Sequence, residues 1–501
     1  MDAGGFRNEP AEMSPEEFRE AGRRLVDRIA DFLATQRSRP VGPGRTPREF
    51  RERLGPGGLP LGGEQVERLL EEASELVFEN SVLPGHPRFL AYVVGAPAPL
   101  GALADLLAAS VNQNLGAWHL APMASEIEAQ SVRWIAELIG FPSVGGGLLT
   151  SGGNLANFIG FLAARAAKAP WPIRSLGASP PGAPSLRLYA SEETHTWIHK
   201  AADLFGLGTD AIRWVGIDTE QRMDVAALER LVAEDRAAGR FPFLVVGSGG
   251  TVSTGAVDDL PRLSAVCRRE GLWFHVDAAY GGFSAGVEGA PKELSGIALA
   301  DSVAVDPHKW MYVPLEAGCT LVRETVRLRA AFEYRPPYYP PADGTEETFD
   351  YHGLGLQNSR GFRALKVWLA LRRCGSDGYR SMVARDIALA RRLFDAAGRH
   401  PELEPVTLGL SITTFRYVPS DLAGRDGRRD EEYLDRLNAQ LVDRLQQEGE
   451  VYPSHAVVRG RSVIRTCIVN FRTSEEDVDA VPEIVARAGR DLDRTLRPGR
   501  S

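Results

Sequence analysis

The sequence predicts an α/β protein: a large domain on a mostly parallel β-sheet, a helical segment before it and a small α+β domain after it. Three observations lead there. From about residue 87 to 385, short apolar runs alternate with longer stretches of helical period, the pattern of a parallel sheet covered by helices on both faces. From about 386 to 501, apolar residues alternate in twos, as in half-buried strands, with helical stretches between and after them. Residues 1–86 hold one amphipathic stretch and a Pro/Gly-rich connector.

The elements follow in chain order. Ser14-Pro15-Glu16-Glu17 is a capping box with proline at the first helical position, and Phe18, Leu25, Ile29 and Phe32 recur near helical spacing, so a helix runs to about Thr35. The connector "RPVGPGRTPREFRERLGPGGLPLGG" is too punctuated to be one element. The apolar stripe ahead of it needs a cover, either the body of the same chain or a partner subunit. In the central region "SLRLYAS", "AIRWVGI", "FPFLVVGSG", "LWFHVDAA", "DSVAVD" and "GCTLVR" read as strands. "NLANFIGFLAARAAKA", "DVAALERLVAEDRAAG" and "LPRLSAVCRREG" read as helices. Later, "LSITTFRYVP" and "SVIRTCIVNF" alternate as strands of the small domain. Ligands of such α/β sheets bind where strands end and loops gather.

Composition narrows the function classes. The chain has 501 residues, 44% hydrophobic and 25% charged, the ordinary balance of a globular protein. A net charge of -8 offers no electrostatic case for nucleic acid or an anionic membrane, and no apolar run is long enough to span a bilayer. The first residues lack the basic and apolar regions of a signal peptide. Cys267, Cys319, Cys374 and Cys467 have no metal-ligand spacing, as expected of reduced thiols in a cytoplasmic protein with no metal site.

Three features could carry chemistry together. In "LLTSGGNLANFIGFLAARAA" an apolar run ends in small residues and passes straight into a helix; its Gly152, Gly153 and Asn154 can present backbone N–H groups to an anion. The missing Lys-Ser/Thr of a Walker loop argues against a nucleoside triphosphate, and a plain glycine-rich turn is the alternative. In "LWFHVDAAYGGF", Asp277 ends an apolar strand beside Ala278 and Ala279, either as a turn cap or as an ion-pair partner for a cationic ring atom. In "ADSVAVDPHKWMYVPLEAG", Lys309 follows another apolar strand, either snorkelling to solvent or acting as a desolvated amine able to form a Schiff base. The spacing from Asp277 to Lys309 leaves room for a strand–helix–strand excursion to a neighbouring strand end. Anion cup, carboxylate and amine are what pyridoxal 5'-phosphate requires.

"DPHKW" with "HVDAAYGG" upstream resembles the group II pyridoxal-phosphate decarboxylases, nearest to their aromatic-L-amino-acid branch. The resemblance extends through "HPRFLAY", "SEIE", "LLTSGGNLAN" and "LKVWLALRRCG" to "IRTCIVNFRTSEEDVD". It implies a fold-type-I pyridoxal-phosphate transferase-like large domain and a homodimer with its site at the interface. Lys309 would hold the cofactor, Asp277 would pair with its ring nitrogen, and Gly152, Gly153, Asn154 and Asp306 would serve the phosphate region. Ala279 and His195 would lie on opposite faces of the ring, with Thr251 in the cofactor shell. The nearby His199 competes with His195, and the pattern "KAA…GLG" that follows favours the latter. His308 would neighbour the substrate carboxylate.

The same resemblance implies decarboxylation of an L-amino acid, most simply an aromatic one, to amine and CO2. Tyr338, in the Pro-rich stretch "FEYRPPYYPPADGTEETFDYHG", matches the loop tyrosine that returns a proton; Tyr339 and Tyr334 are close by. Relatives with Phe there are oxidative aldehyde synthases, the main alternative outcome; His, Glu or diaminobutyrate are alternative substrates. Tyr92 matches a pocket-wall aromatic, Val93 and Val94 depart from the Phe-Pro common there, Gly95 replaces a small polar residue, and Ser359 falls at a pocket-lining position. A rival from another class is Gly282-Phe283-Ser284-Ala285-Gly286, a G-x-S-x-G match. Its strand ends too early, near Asp277, and Gly and Pro follow where a helix should begin.

Overall fold

The computed structural model describes residues 9–142, 145–334, 349–422 and 430–497. The central apolar runs form a seven-stranded sheet of β1 (Gly146–Thr150), β2 (Leu186–Ser191), β3 (Ile212–Val215), β4 (Phe241–Ser248), β5 (Trp273–Asp277), β6 (Ser302–Val305) and β7 (Gly318–Val322), in spatial order β1-β7-β6-β5-β4-β2-β3. Strands β2 to β6 pair in parallel, and β7 runs antiparallel to both neighbours, β1 and β6. Since β1 and β6 each oppose β7, they run the same way. The carboxyl ends of β1, β2, β4, β5 and β6 therefore meet at one edge. That edge gathers residues 151–153, 192–195, 249–251, 278–280 and 306–309.

The helix Gly153–Lys168 lies across the sheet with Ala156, Phe158, Ile159, Phe161 and Leu162 buried. Gly160 permits the approach, because a Cβ there would come within 2.6 Å of the His275 ring. His275, on β5, is fully buried; its Nε2 pairs with Asn157 Oδ1 at 2.7 Å and its Nδ1 with Ser302 Oγ at 2.8 Å. Burial pulls its pKa down to about 4. The unfolded chain protonates this imidazole below about pH 6.5 while the folded one resists, so stability falls as pH drops from about 6.5 towards 4. At pH 5 the expected loss from this group is about 2 kcal/mol. Urea unfolding at pH 7 and pH 5 checks it: His275→Gln should show a smaller pH-dependent loss than wild type.

The excursion between β5 and β6 corrects an expectation. It contains two 3₁₀ segments, Gly281–Ser284 and Lys292–Leu299, where the spacing leaves room for a helix between the strands. Gly286 and Gly289, both at positive φ, and Pro291 interrupt the run before an α-helix can propagate. Ser284 is buried, with its hydroxyl donating to Gly281 O at 2.6 Å.

The second sheet is antiparallel, in order β10-β11-β9-β8, built from β8 (Leu403–Gly409), β9 (Ile412–Tyr417), β10 (Ser454–Val458) and β11 (Arg461–Cys467). Helices Glu431–Glu448 and Glu475–Leu496 pack on it through Leu434, Leu437, Leu441, Val478, Val481 and Val485. Helix Ala364–Arg399, broken by non-helical backbone at Gly375 (φ 64°), carries the chain from one sheet to the other. The boundary expected at 385/386 thus falls inside a helix; no linker is needed, because this helix is buried against both units.

At the N-terminus, helix Pro15–Thr35 has the expected capping box and packs on helix Val66–Asn80, with Phe32 and Phe78 stacked at 4.4 Å. Arg37 ties the pair to the last helix through Asp477 at 2.9 Å. Phe18 and Val26 stay exposed, so the chain covers only part of the stripe. Among the described residues no helix is long and apolar enough to cross a membrane.

Candidate active site

Backbone hydrogen bonds first bring the strand ends together. Gly249 N–H donates to Asp277 O (2.8 Å), Ala278 N–H to Ala304 O (2.9 Å) and Asp306 N–H to Ala279 O (3.2 Å). After β6 the chain turns sharply, with Lys309 N–H on Asp306 O at 2.9 Å. This turn points Lys309 Nζ at Asp306 Oδ2, 2.9 Å away. Lys309 is 21% exposed and Asp306 only 2%, so the carboxylate supplies the counter-charge that a half-buried ammonium requires.

Asp306 also faces the start of helix Gly153–Lys168. A Cβ at Gly153 would lie 2.6 Å from Asp306 Oδ2 and 3.1 Å from Ala279 Cβ, so only glycine fits. Gly152, the N-cap, offers no side chain to the first-turn N–H groups, and Asn154 is exposed at the same end. His308 lies on the other side of Gly152, with its Nδ1–H donating to Ala317 O at 2.7 Å and its Nε2 left 3.7 Å from Asp306 Oδ2. Burial holds the His308 imidazolium below its usual range, with Asp306 opposing and Lys309 reinforcing the effect.

Asp277, at the end of β5, accepts from Trp197 Nε1 at 2.8 Å on one oxygen and from Ala279 N–H at 3.2 Å on the other. These bonds fix its rotamer beside Ala279. His195 precedes Trp197, whose N–H donates to His195 Nδ1 at 3.3 Å. Desolvation keeps the His195 imidazole below its usual pKa, Asp277 opposes this, and Lys309 adds to it. His199, its competitor, lies against Trp214 at 4.9 Å.

Lys309, Asp306, His308, Gly152, Gly153, Ala279, Asp277 and His195 therefore form one cluster at the carboxyl edge of the sheet. A match to the Pyridoxal-dependent decarboxylase conserved domain covers residues 47–417. The chain belongs to this decarboxylase family. It is 33% identical over 473 residues to the aromatic-L-amino-acid decarboxylase of Bacillus atrophaeus, covering 94% of this chain and 95% of that protein. It is 28% identical over 491 residues to the phenylacetaldehyde synthase of Petunia hybrida, covering 96% of each. Among solved structures, Oryza sativa TDC with PLP and tryptamine superposes with a TM-score of 0.88 at 27% identity, over 97% of this chain and 100% of that one. Mouse CSAD gives 0.87 at 28% identity, over 95% and 99%.

Pyridoxal phosphate is the cofactor of this family, and the cluster fits it. Asp306 Oδ1 is buried with no hydrogen-bond partner among the described residues, and the same carboxylate borders, through Oδ2, the space that a Cβ at Gly153 would fill. A helix N-terminus without a side-chain cap lies beside an amine, and a carboxylate held by two donors sits at the next strand end.

Other expected residues lie differently. Thr251 is buried in its own turn, its hydroxyl 3.0 Å from Thr254 Oγ1, and makes no hydrogen bond to the cluster. Tyr92 has φ 54° and is 60% exposed. Gly95 does not open a pocket: a Cβ there would lie 2.2 Å from Lys309 O, so its role is close packing under the lysine turn. Gly95→Ala is expected to cost about 1–3 kcal/mol of stability and to loosen cofactor retention, read by thermal unfolding and dialysis of the holoenzyme. Ser359 is exposed beside buried Arg360, with no hydrogen bond or ion pair to the cluster among the described residues. Tyr338 and Tyr339 lie outside the described residues. A cleft of about 700 Å³ lined by Arg165, Arg174, Phe205, Tyr334 and His352 contains none of the cluster residues.

Sequence reasoning missed Trp197 and Arg465. Trp197 is unremarkable in "HTWIHK", and only folding shows its indole on Asp277. Arg465 is buried on β11 and donates to Tyr92 O (3.0 Å), Val252 O (2.8 Å) and Ser454 Oγ (3.1 Å), binding the first pocket segment to the loop after β4. A charged residue inside the apolar alternation of "SVIRTCIVNF" was the available signal.

Proposed function

We propose that this enzyme decarboxylates an aromatic L-amino acid to its amine and CO2, at the cluster centred on Lys309. The observation carrying this reading is the convergence of the Lys309–Asp306 pair, Asp277 and the Gly152–Gly153 turn at one sheet edge. The aromatic-L-amino-acid and tryptophan decarboxylases among its relatives support the substrate class.

When bound, pyridoxal phosphate supplies an aldehyde for the amino group and a ring that accepts the electron pair left by CO2. The chain does the rest. Lys309 is the amine that would hold the cofactor, with Asp306 as its buried counter-charge. Asp277, fixed by Trp197 and the Ala279 N–H, is placed to hold a proton at the ring nitrogen, which would keep the ring electron-poor. The N-terminus of helix Gly153–Lys168 binds the phosphate. His195 and Ala279 would confine the ring between them, as carried over from the family pattern. His308, kept neutral by burial, would lie near the substrate carboxylate and add no cation there to hold it back from leaving as CO2. Tyr338 returns a proton to Cα, as carried over from the family pattern.

The test is a panel of L-amino acids scored together for amine, CO2 and peroxide. Amine and CO2 from aromatic substrates without oxygen support the reading. Aldehyde, ammonia and peroxide, needing oxygen, would instead place it with the synthases, an outcome that the Petunia hybrida relative keeps in view.

The working form is a homodimer in the cytoplasm. Leu103, Leu106, Leu107 and Val111 on helix Pro99–Val111, with Leu120 and Met123 after it, are all exposed in the single chain. Such a face is covered in a stable protein, and a second copy is its simplest cover. Sedimentation of the holoenzyme at twice the chain mass supports this; a monomer refutes it.

A further inference from the structure

Asp386 is a fully buried carboxylate outside the cluster, and its partners are the residues that follow Lys309. Its Oδ2 accepts from Trp310 Nε1 at 2.9 Å and from the Tyr312 hydroxyl at 2.8 Å, while Oδ1 is buried with no hydrogen-bond partner among the described residues. Tyr312 has φ 56°, a left-handed conformation that a bulky residue keeps only when its surroundings enforce it. Its N–H closes the turn on Lys309 O at 3.1 Å. Tyr379, on the same helix as Asp386, donates to Met311 O at 3.3 Å. The three residues after Lys309 are thus all gripped by helix Ala364–Arg399.

The grip continues behind the cofactor floor. Trp310 stacks on Tyr280 at 4.8 Å and 17°, and Tyr280 directly follows Ala279. The Tyr280 hydroxyl is held by Ser411, on the tight connection between β8 and β9, at 2.7 Å. One aromatic pair therefore backs both strand-end turns, and its polar ends are pinned from outside the large sheet. Burial pushes the Asp386 carboxyl up to about 7, with Trp310 and Tyr312 pulling against it. An apolar side chain would avoid that desolvation but would leave an indole N–H and a phenol unpaired in the interior.

We propose that Asp386 is a positioning residue for Lys309, setting the place of the amine from the helix that leads to the small domain. This rests on the reading that Lys309 carries the cofactor. Borohydride reduction and peptide mapping of the wild-type holoenzyme test that reading first: a label anywhere but Lys309 removes it. With Lys309 labelled, wild type is compared with Asp386→Asn, Asp386→Leu and Tyr312→Phe. Both hydrogen bonds fall on one oxygen, so Asn can accept both and Leu neither.

Asp386→Leu and Tyr312→Phe are expected to lower kcat by about 10- to 100-fold with KM little changed. They should also move the midpoint of the pH titration of the visible cofactor band by about half a unit or more, with Asp386→Asn near wild type. A lower melting temperature with unmoved kcat and band would mean packing alone and overturn the proposal. If Asp386→Leu does not fold, Tyr312→Phe and Trp310→Phe decide it: an unmoved band and kcat in both overturns it.

Discussion

Lys309→Ala is expected to remove the visible absorbance band of the purified enzyme and to lower turnover by at least about 10³-fold. The amine stands at the end of β6, 2.9 Å from a carboxylate that is almost wholly buried. Its backbone is held by the Asp306–Lys309 turn on one side and by the close approach of Gly95 on the other. Alanine leaves this scaffold standing but takes away the amine that would bond an aldehyde. It also leaves Asp306 buried without its cation, so the variant should be less stable as well as inactive. Absorbance spectra of wild type and variant after incubation with the cofactor, followed by product assay, give the answer. A variant that kept both the band and turnover would remove Lys309 from the mechanism.

Asp277→Asn is expected to lower kcat/KM by on the order of 10²- to 10³-fold, corresponding to about 3–4 kcal/mol for breaking a desolvated charge pair. In wild type both carboxylate oxygens are occupied, one by Trp197 Nε1 and the other by the Ala279 N–H, so the group cannot swing away. Asparagine has one acceptor instead of two and no charge, so it neither holds a proton on a ring nitrogen nor satisfies both donors. Asp277→Glu restores the charge but displaces it, and should recover part of the loss in kcat. Equal activity of the Asn variant and wild type would show that Asp277 serves only to cap the turn.

Much of this was legible in the chain itself. Strand ends at Thr150, Asp277 and Val305 are marked by apolar runs that stop abruptly at small or charged residues. "SGGN" before an amphipathic helix, Asp277 after "LWFHV" and Lys309 after "DSVAVD" violate the local apolar pattern, and such violations mark groups kept for chemistry. The pairing of Asp306 with Lys309 was not legible. It depends on a turn that points both side chains inwards and on Gly153 leaving room for the carboxylate. Nor was the place of Gly95, whose missing side chain serves the packing beneath Lys309.

The alternation of strands and helices, the mostly parallel large sheet, the lysine, the aspartate and the anion turn are readable along the chain. All of these are written in local periodicity and in local breaks of it. Folding is what shows that β7 runs backwards, which sets β1 beside it with its carboxyl end at the site. It alone put Trp197 on Asp277, Arg465 across Tyr92 and Val252, and Asp386 behind Lys309. Those contacts join residues far apart in the chain, and no local pattern encodes a partner that folding alone brings near.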